Sequence, residues 1–278
     1  MRVQSKLSHK ITSFFANYIC NELGIRFHEE NYFQLEKRLN DIAKKSGFNS
    51  VDDLYSHAKN GITGPLKNLI LDTATNNETL FFRDLSIFKS IESLLRKDYF
   101  QLKNTKTLKV WSVPCSTGQE PYSLGILFDK LKFCLGGGWT IKASDISKRV
   151  LEIAKKGVYS SLEIKRGLDD QLLSHYFMKV DGTETWQIKS NISSRIIFDE
   201  FNLVGHWPSS IGQFDIVLLR NVLIYQEVET KKKVISQMTK HILPGGSLIL
   251  GSAENLIGLS NDFESRKVEN TLIYFKKK

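Results

Sequence analysis

The sequence predicts an α/β fold in which a parallel sheet carries helices on both faces, with a small all-helical domain before it and a small insertion inside it. Three patterns lead to this prediction. From about residue 107 onward, short apolar runs alternate with helical patterns, which is typical of βαβ units. Residues before about 75 show only helical periodicity, and residues from about 159 to 194 interrupt the alternation.

The N-terminal segment, residues 1–75, is predicted to form the helical domain. Its apolar side chains recur at intervals of three and four residues, as on one face of a helix. They are Leu7, Ile11, Phe14, Phe15, Tyr18, Ile19, Tyr32, Phe33, Leu35, Leu39 and Ile42. The segment is divided into about four short helices by Gly24, Gly47, Gly61 and Gly64-Pro65. The stretch from Asp72 to Glu78 is expected to join this domain to the sheet domain, residues 76–278.

The strands and helices of the sheet domain follow from the alternation. Strands are expected at 108–113, 139–145, 195–201, 214–220, 247–252 and 271–277. Helices are expected from Gly118 to about Cys134, from Ser147 to about Lys156 and from Glu227 to His241, the last of them closed by Pro244-Gly245-Gly246. The insertion at about 159–194 contains a helical run, LDDQLLSHYF, and a hairpin around Asp181-Gly182.

Composition restricts the class of protein. The formal charge of +9 and the isoelectric point near 9.3 favour an acidic partner, which could be nucleic acid, an anionic membrane surface or an acidic protein. Three cysteines, Cys20, Cys115 and Cys134, have neither zinc-site spacing nor the even number of a disulfide framework. We find no signal-peptide-like segment at the start and no run of about 18 apolar residues. The sequence therefore predicts a soluble cytoplasmic protein.

The loop after the first predicted strand has the composition of a ligand-binding loop. In open α/β sheets, ligands bind at the carboxyl ends of the strands, and here the residues are Pro114-Cys115-Ser116-Thr117-Gly118-Gln119-Glu120-Pro121. A phosphate loop is disfavoured because the Lys-Ser/Thr ending and the G-x-G-x-x-G spacing are missing. The Glu120 carboxylate would repel a phosphate but attract an ammonium or sulfonium group. The loop therefore indicates a cationic, phosphate-free cofactor.

Polar residues also follow the other predicted strands. Asp145 ends the second strand, where a carboxylate can accept hydrogen bonds from both hydroxyls of a ribose. The same aspartate could instead help to cap the next helix near Ser147. Asn202 and Asn221 follow the third and fourth strands, where an amide could hold an adenine edge or an amino-acid head group, or simply form a turn. An adenosine-containing cofactor fits these positions.

Five segments, in order, resemble the motifs of CheR-type chemotaxis receptor glutamate methyltransferases. They are TNNETLFFRD (75–84), WSVPCSTGQEPYS (111–123), ASDISKRVLEIAKKGVY (143–159), FDIVLLRNVLIY (214–225) and LPGGSLILGSAENLIGL (243–259). With the helical N-terminus and the insertion, these segments account for essentially the whole chain. Two positions depart from the family pattern. Gln119 stands where a second acid often precedes Glu-Pro, and Gly251-Ser252-Ala253-Glu254-Asn255 replaces G-H-S-E-S, so any role of that histidine is absent.

The resemblance implies a Rossmann-like class I methyltransferase that uses S-adenosyl-L-methionine and releases S-adenosyl-L-homocysteine. It implies methyl transfer to glutamate carboxylates of methyl-accepting chemotaxis receptors. By their place in the motifs, the implied cofactor contacts are Asn77, Thr79, Arg83, Glu120, Asp145, Asn202, Leu203, Asn221 and Val222. Arg83 and Tyr225 match the residues that line the methyl-transfer site, and Phe81 and Phe82 are expected to pack in the core. The chemistry needs no metal, and the sequence contains no metal-ligand cluster.

The resemblance also implies a partner, the cytoplasmic helical region of chemotaxis receptors. Lys37, Arg38, Lys44 and Lys45 could face this acidic substrate, although a solvated helix face explains them equally well. The insertion corresponds to a β-subdomain that, in some family members, docks a receptor C-terminal peptide by strand addition. A monomer without direct membrane insertion is expected.

Two other classes of function compete with this one. A cofactor-binding regulatory module without transfer activity is disfavoured because Arg83 and Tyr225 are both present. A nucleic-acid methyltransferase is disfavoured because such enzymes commonly carry an N-P-P-[FY] motif, whereas this chain has Arg220-Asn221-Val222-Leu223 at the equivalent strand end. No nucleic-acid partner is therefore expected.

Overall fold

The structure, a computed structural model, describes residues 7–97, 107–132, 135 and 138–278. Cys134, which the sequence analysis used in the cysteine spacing and as an approximate helix end, lies outside the described residues. Among the helices of the described part, none combines the length and the apolar composition needed to cross a bilayer.

The N-terminal region is helical, as predicted. Its helices are His9–Leu23 (α1), Tyr32–Lys45 (α2), Val51–Ala58 (α3) and Gly64–Ala74 (α4). They enclose a core that includes Phe15, Leu39 and Ile70, each with 0% exposure. The predicted connecting stretch began at Asp72, but α4 runs on to Ala74, because Ile70, Leu71 and Ala74 continue its buried face.

Seven further helices follow within the residues that the structure describes. They are Leu85–Lys97 (α5), Gln119–Lys130 (α6), Lys148–Lys156 (α7), Ser161–Lys165 (α8), Asp170–Tyr176 (α9), Ser190–Ser193 (α10) and Val228–Lys240 (α11). The strands are Leu108–Ser112 (β1), Trp139–Asp145 (β2), Val158–Ser160 (β3), Phe177–Lys179 (β4), Thr185–Ile188 (β5), Ile196–Glu200 (β6), Phe214–Leu219 (β7), Ile242–Leu250 (β8), Phe263–Val268 (β9) and Thr271–Lys276 (β10).

The main sheet has the strand order β6-β2-β1-β7-β8-β10-β9. The first five strands in this order are parallel, whereas β10 is antiparallel to both β8 and β9. Neighbouring residues alternate between two apolar layers, as strand geometry requires. Val110 and Leu218 belong to the layer that contains residues of α5 and α6, and Trp111 and Val217 belong to the layer that contains residues of α11. The predicted Rossmann-like sheet is confirmed.

Three parts of the sheet domain differ from the predictions. Helix α5 and strand β9 were not predicted. The strand expected at 247–252 begins earlier, at Ile242, and contains Pro244-Gly245-Gly246. Its ladder with β7 shifts between Phe214↔Ile242 and Ile216↔Ser247, so the extra residues are accommodated as an irregularity inside the strand. The Pro-Gly-Gly signal therefore marks this irregularity as well as the end of the preceding helix.

The insertion forms a second, antiparallel sheet with the order β3-β5-β4. The predicted hairpin joins β4 to β5, and the amide of Val180 donates to the carbonyl of Thr185 at 2.9 Å across its turn. Phe81 packs edge-on against Tyr159 and Phe177, at ring distances of 5.0 and 5.5 Å. The expected core role of Phe81 is confirmed, since this ring fixes the insertion to the rest of the protein.

Gly157, which ends α7, has a φ of +61°, and a Cβ there would lie 2.5 Å from Ile188 Cγ2 and 3.0 Å from Tyr122 Oη. We expect Gly157→Ala to lower the free energy of unfolding by about 2–5 kcal/mol, because a left-handed alanine costs about 1–2 kcal/mol and overpacking adds about 1–3 kcal/mol. Urea unfolding would measure this loss. The matched control is Gly182→Ala, since Gly182 has a φ of +71° but no atom within 4 Å of the added methyl group. Equal losses in the two variants would contradict the packing argument.

Candidate functional site

A cleft lies at the carboxyl ends of β1, β2 and β7, where the sequence analysis placed a ligand. It consists of two adjoining cavities that share Asn76, Pro114, Ser116 and Asn221. The first cavity encloses about 660 Å³, part of it open to solvent, and lies between the sheet and the N-terminal helices. The cleft therefore joins the carboxyl ends of the strands to the N-terminal region of the chain.

The loop after β1 approaches its neighbours closely. Gly118 precedes α6 with a φ of +94°, and a Cβ there would lie 2.9 Å from Ala154 Cβ and 3.0 Å from Tyr159 Oη. Ser116 lines the cleft, and its hydroxyl donates to the carbonyl of Asn77 at 2.8 Å. The loop is thus fixed to α7 and to the segment that precedes α5.

Asp145 is 3% exposed and both of its carboxylate oxygens are hydrogen-bonded. Oδ2 accepts from the Ser116 amide at 2.8 Å and Oδ1 from the Ser147 amide at 3.0 Å. Burial raises the pKa of Asp145, and these backbone hydrogen bonds lower it less than burial raises it. The side-chain cap of α7 is Ser147, whose hydroxyl accepts from the Val150 amide at 3.2 Å. Asp145 therefore supports the cap residue, and each of its oxygens keeps a lone pair that can accept a further hydrogen bond.

An ion triad centred on a buried arginine lies at the second cavity, which Arg220 and Glu120 line. Arg220, 5% exposed, pairs through Nη1 with Glu120 Oε2 at 2.6 Å and through Nη2 with Asp84 Oδ2 at 2.5 Å. Two carboxylates against one guanidinium leave the triad with a net charge of −1. This charge favours an ammonium or sulfonium group, as the Glu120 argument expected. The Nε of Arg220 is buried and has no hydrogen-bond partner among the described residues.

Sequence reasoning missed Arg220 and Asp84. The available signal for Arg220 was a charge placed directly after FDIVLL, a strand whose residues are all buried. Asp84 carried no comparable signal, because its role depends on a contact with a residue 136 positions away in sequence.

Glu254 was also missed, although the segment around it was noted for its absent histidine. Its Oε2 accepts from the amides of Asn221 and Gly251, both at 2.8 Å. Its Oε1 accepts from the amides of Val222 and Ile224, at 2.9 and 3.3 Å. One carboxylate thus holds the turn after β7 against the loop after β8. Asn221 has a φ of +57° inside this turn, a strained conformation for a residue other than glycine.

The remaining predicted cofactor contacts lie around the same cleft. Asn77, Asn202, Leu203 and Val222 line the first cavity, and Thr79 lines the second. Both ends of the Asn202 amide are used within the protein. Its Nδ2 donates to the carbonyl of Glu22 at 2.8 Å, and its Oδ1 accepts from the Val204 amide at 2.9 Å. Asn202 therefore holds an N-terminal helix against the sheet, an interaction that the sequence analysis did not foresee.

Arg83 and Tyr225 lie in different parts of the cleft. Arg83 lines the second cavity, and its Nη1 donates to the carbonyl of Glu78 at 2.9 Å. Tyr225 lines the first cavity and also a third, adjoining cavity that contains Arg38. Asn76 lines all three cavities, and its Nδ2 donates to Tyr225 Oη at 3.4 Å. Arg83 and Tyr225, which were both expected at the methyl-transfer site, therefore do not line the same cavity. Asn76 lies between them, since it lines the cavities of both.

The four basic residues of α2 divide into two kinds. Lys37, Lys44 and Lys45 are exposed, which fits a solvated face as well as a partner-binding face. Arg38 is half-buried, donates through Nη1 to the carbonyl of Ala74 at 2.5 Å, and lines the third cavity. Burial lowers the pKa of its guanidinium. Arg38 is therefore part of a built cavity beside Tyr225.

The comparisons with known proteins all indicate the same family. The family model described as CheR methyltransferase, SAM binding domain matches residues 77–276. Chemotaxis protein methyltransferase Cher2 of Pseudomonas putida is 34% identical over 264 residues, which cover 94% of this chain and 95% of that protein. Chemotaxis protein methyltransferase 1 of Pseudomonas aeruginosa is 33% identical over 264 residues, with the same coverage. The chemotaxis protein methyltransferase of Vibrio parahaemolyticus is 33% identical over 263 residues, covering 94% of each chain.

We expect Asp145→Asn to weaken binding of S-adenosylhomocysteine about 10- to 100-fold, since hydrogen bonds to a charged group contribute about 1.5–3 kcal/mol. Titration calorimetry would measure the affinity. For the unchanged protein, affinity should fall on acidification as Asp145 is protonated. Because its pKa is raised, this loss should begin at a higher pH than for an ordinary aspartate.

Asp199→Asn is the matched control for this variant. Asp199 Oδ2 pairs with Lys142 at 2.8 Å, and its Oδ1 accepts from the Ser144 hydroxyl at 2.5 Å, on the adjacent edge strand. It does not line either cavity of the cleft. If the Asp145→Asn protein is folded and binds S-adenosylhomocysteine as tightly as the Asp199→Asn protein does, Asp145 is not a cofactor-binding residue.

Proposed function

This chain belongs to the CheR methyltransferase family, whose members bind S-adenosylmethionine, and from that premise we propose that it methylates glutamate side-chain carboxylates of chemotaxis receptors. The observation that carries the proposal is the cavity of Arg38 and Tyr225, which adjoins the cofactor cleft through Asn76. A cation beside an opening to the cofactor suits an incoming carboxylate. The basic charge of the whole chain, +9, agrees with an acidic substrate.

The cleft offers complementary groups for each part of the cofactor. S-adenosylmethionine, when bound, supplies an electrophilic methyl group on a sulfonium. Asp145 would accept hydrogen bonds from the ribose hydroxyls, and the net negative triad of Glu120, Asp84 and Arg220 would stabilise the ammonium and sulfonium charges. Arg83, which lines the same cavity as Glu120, would bind the cofactor carboxylate. The donor set therefore fits a zwitterionic cofactor that contains adenosine.

The nucleophile needs no activation. A glutamate side chain has an unperturbed pKa of about 4.3, so it is already a carboxylate at neutral pH and requires no general base. One carboxylate oxygen forms the bond to the methyl carbon while the carbon–sulfur bond breaks and its electron pair stays on sulfur. Charge is neutralised during this step, so a site of low polarity does not oppose it.

The work of the protein is therefore positioning. We propose that Arg38 binds the incoming glutamate and that Tyr225 forms the wall beside the sulfonium. Well-oriented reactants can gain about 7–11 kcal/mol in model reactions. The cavities support this division of roles, since Arg83 lines the same cavity as Glu120 and Arg38 lines the same cavity as Tyr225.

A second contact with the receptor is proposed at the insertion. In the order β3-β5-β4, strand β4 pairs only with β5 within the described residues, so its other edge is open to strand addition. Met178 on this strand is 52% exposed. A receptor C-terminal peptide could extend the sheet there, as the family resemblance implies for some members.

We expect transfer of radiolabelled methyl from S-adenosylmethionine to receptor-containing membranes, in a form that mild base releases. Arg83→Ala should lower this transfer about 30- to 100-fold, because a charge-assisted hydrogen bond contributes about 2–3 kcal/mol. The matched control is Arg266→Ala, since Arg266 is an exposed residue of β9 that pairs with Glu264 at 3.0 Å. Base-stable label would contradict carboxyl methylation. Cofactor binding without transfer to any receptor would favour the regulatory module.

The exposed lysines of α2 provide a separate test of substrate steering. Replacing Lys37, Lys44 and Lys45 together with glutamate should slow receptor methylation about tenfold at low salt, and the effect should fade as salt screens the charges. A control with the same change in net charge replaces Lys155, Lys156 and Lys165, which are exposed on α7 and α8. Equal rates for the two triple variants at low salt would assign the α2 lysines to an ordinary solvated face.

A further inference from the structure

An exposed apolar patch lies beside the turn that carries Tyr225. The patch consists of Ile224, Val228 and Ile257, which are 42%, 56% and 86% exposed and line one open depression. Of the ten large hydrophobic side chains that are exposed in the described part of the chain, these three line one depression, Tyr225 follows Ile224 in sequence, and the other six lie on six different elements. Contiguous exposed apolar side chains mark interaction surfaces more often than isolated ones do.

The exposure of Ile257 is built into its loop. Its neighbour Leu256 is 5% exposed and anchors the loop in the core. The amide of Ile257 donates to Asn255 Oδ1 at 3.0 Å, and the following Gly258 has a φ of +71°. These contacts form an ordered turn with Ile257 at its tip. The side chain is therefore presented to solvent by a defined conformation.

The patch is also rigidly connected to Tyr225. Ile224 and Tyr225 share one 3₁₀ turn, Leu223–Tyr225. Glu254, three residues before Ile257, accepts a hydrogen bond from the amide of Ile224 at 3.3 Å. The two loops that carry the patch are thus held together by the same carboxylate that fixes the turn after β7. A segment bound on the patch would lie at a fixed offset from Tyr225.

The rim of the depression is basic. Lys231 and Lys232, both on α11, line it beside the apolar side chains. Lys232 pairs with Glu229 at 3.0 Å, but both side chains are exposed, so this pair is weak and exchangeable. The only carboxylate that lines the depression among the described residues is Glu254, and it accepts hydrogen bonds from four backbone amides. The surface therefore complements a partner with both apolar and acidic side chains.

We infer that this patch docks the segment of the methyl-accepting protein that flanks the methylated glutamate. Apolar side chains of that segment would pack on Ile224, Val228 and Ile257, and its acidic side chains would face Lys231 and Lys232. The inference rests on the proposed function and adds a docking surface on the sheet domain to the basic face of α2. It makes the patch a determinant of substrate affinity, whereas the cleft determines cofactor binding and transfer.

The test compares Ile257→Glu, Val228→Glu and the double variant in methylation of receptor-containing membranes. The expected result is a KM for receptor raised about tenfold or more in the double variant, with kcat and the affinity for S-adenosylhomocysteine unchanged. The matched control is Ile197→Glu on the edge strand β6, because Ile197 is 68% exposed and lies outside the patch. An unchanged KM in the patch variants, with active unchanged protein, would overturn the docking inference and leave the proposed function standing. Failure of the unchanged protein to methylate any receptor would overturn both.

Two further measurements separate other occupants. Analytical ultracentrifugation of the unchanged protein and Ile257→Glu would reveal a second copy of the chain on the patch as a loss of dimer. Pelleting with receptor-free vesicles of phosphatidylglycerol and phosphatidylethanolamine would reveal a lipid surface as the occupant. Either result, combined with an unchanged KM for receptor, would overturn the inference. The inference is supported if the patch variants raise the KM for receptor and if neither dimer formation nor vesicle binding depends on the patch.

Discussion

The architecture of the cleft depends on one buried guanidinium. Arg220 lies directly after β7, and its pairs with Glu120 and Asp84 bring together the start of α6 and the residue that precedes α5. These two pairs hold the three segments together at this point, since loss of either carboxylate would leave the buried guanidinium with fewer partners. The resulting net negative charge matches a cofactor that carries a sulfonium and an ammonium.

A second carboxylate, Glu254, organises the other side of the cleft. Its carboxylate accepts hydrogen bonds from four backbone amides. These bonds hold Asn221 in a left-handed conformation and fix the turn that carries Tyr225. The two departures from the family pattern leave these features intact. Ser252, at the position of the usual histidine, is exposed, and Gln119 is buried with its Oε1 accepting from the Thr117 hydroxyl at 2.7 Å.

The N-terminal helices contribute to the cleft itself. Leu23 and Ile25 line the first cavity, and the carbonyl of Leu23 accepts from the Gln226 amide group at 3.5 Å. The pair of Arg26 with Glu227 and the bond from Asn202 to Glu22 hold the same contact. The region that was expected to meet the substrate therefore also lines the first cavity of the cleft.

The sequence by itself determined the elements whose residues repeat at a regular period. Strand β2 matches its predicted bounds, and the residues predicted after the strands, such as Asp145 and Glu120, line the cleft. Strand β9 has mostly exposed and charged residues, FESRKV, so it lacks the apolar alternation that would reveal an edge strand.

Only the tertiary structure decided the partners of Arg220 and Glu254 and the position of Arg38 beside Tyr225. These contacts join residues that lie between 30 and 137 positions apart in sequence, or link α2 to the turn after β7. Local periodicity specifies which face of an element is buried, but it does not specify which loops meet when those faces pack. The chemistry of the cleft depends on which loops come into contact, because the groups buried beside a charged side chain determine what that side chain can do.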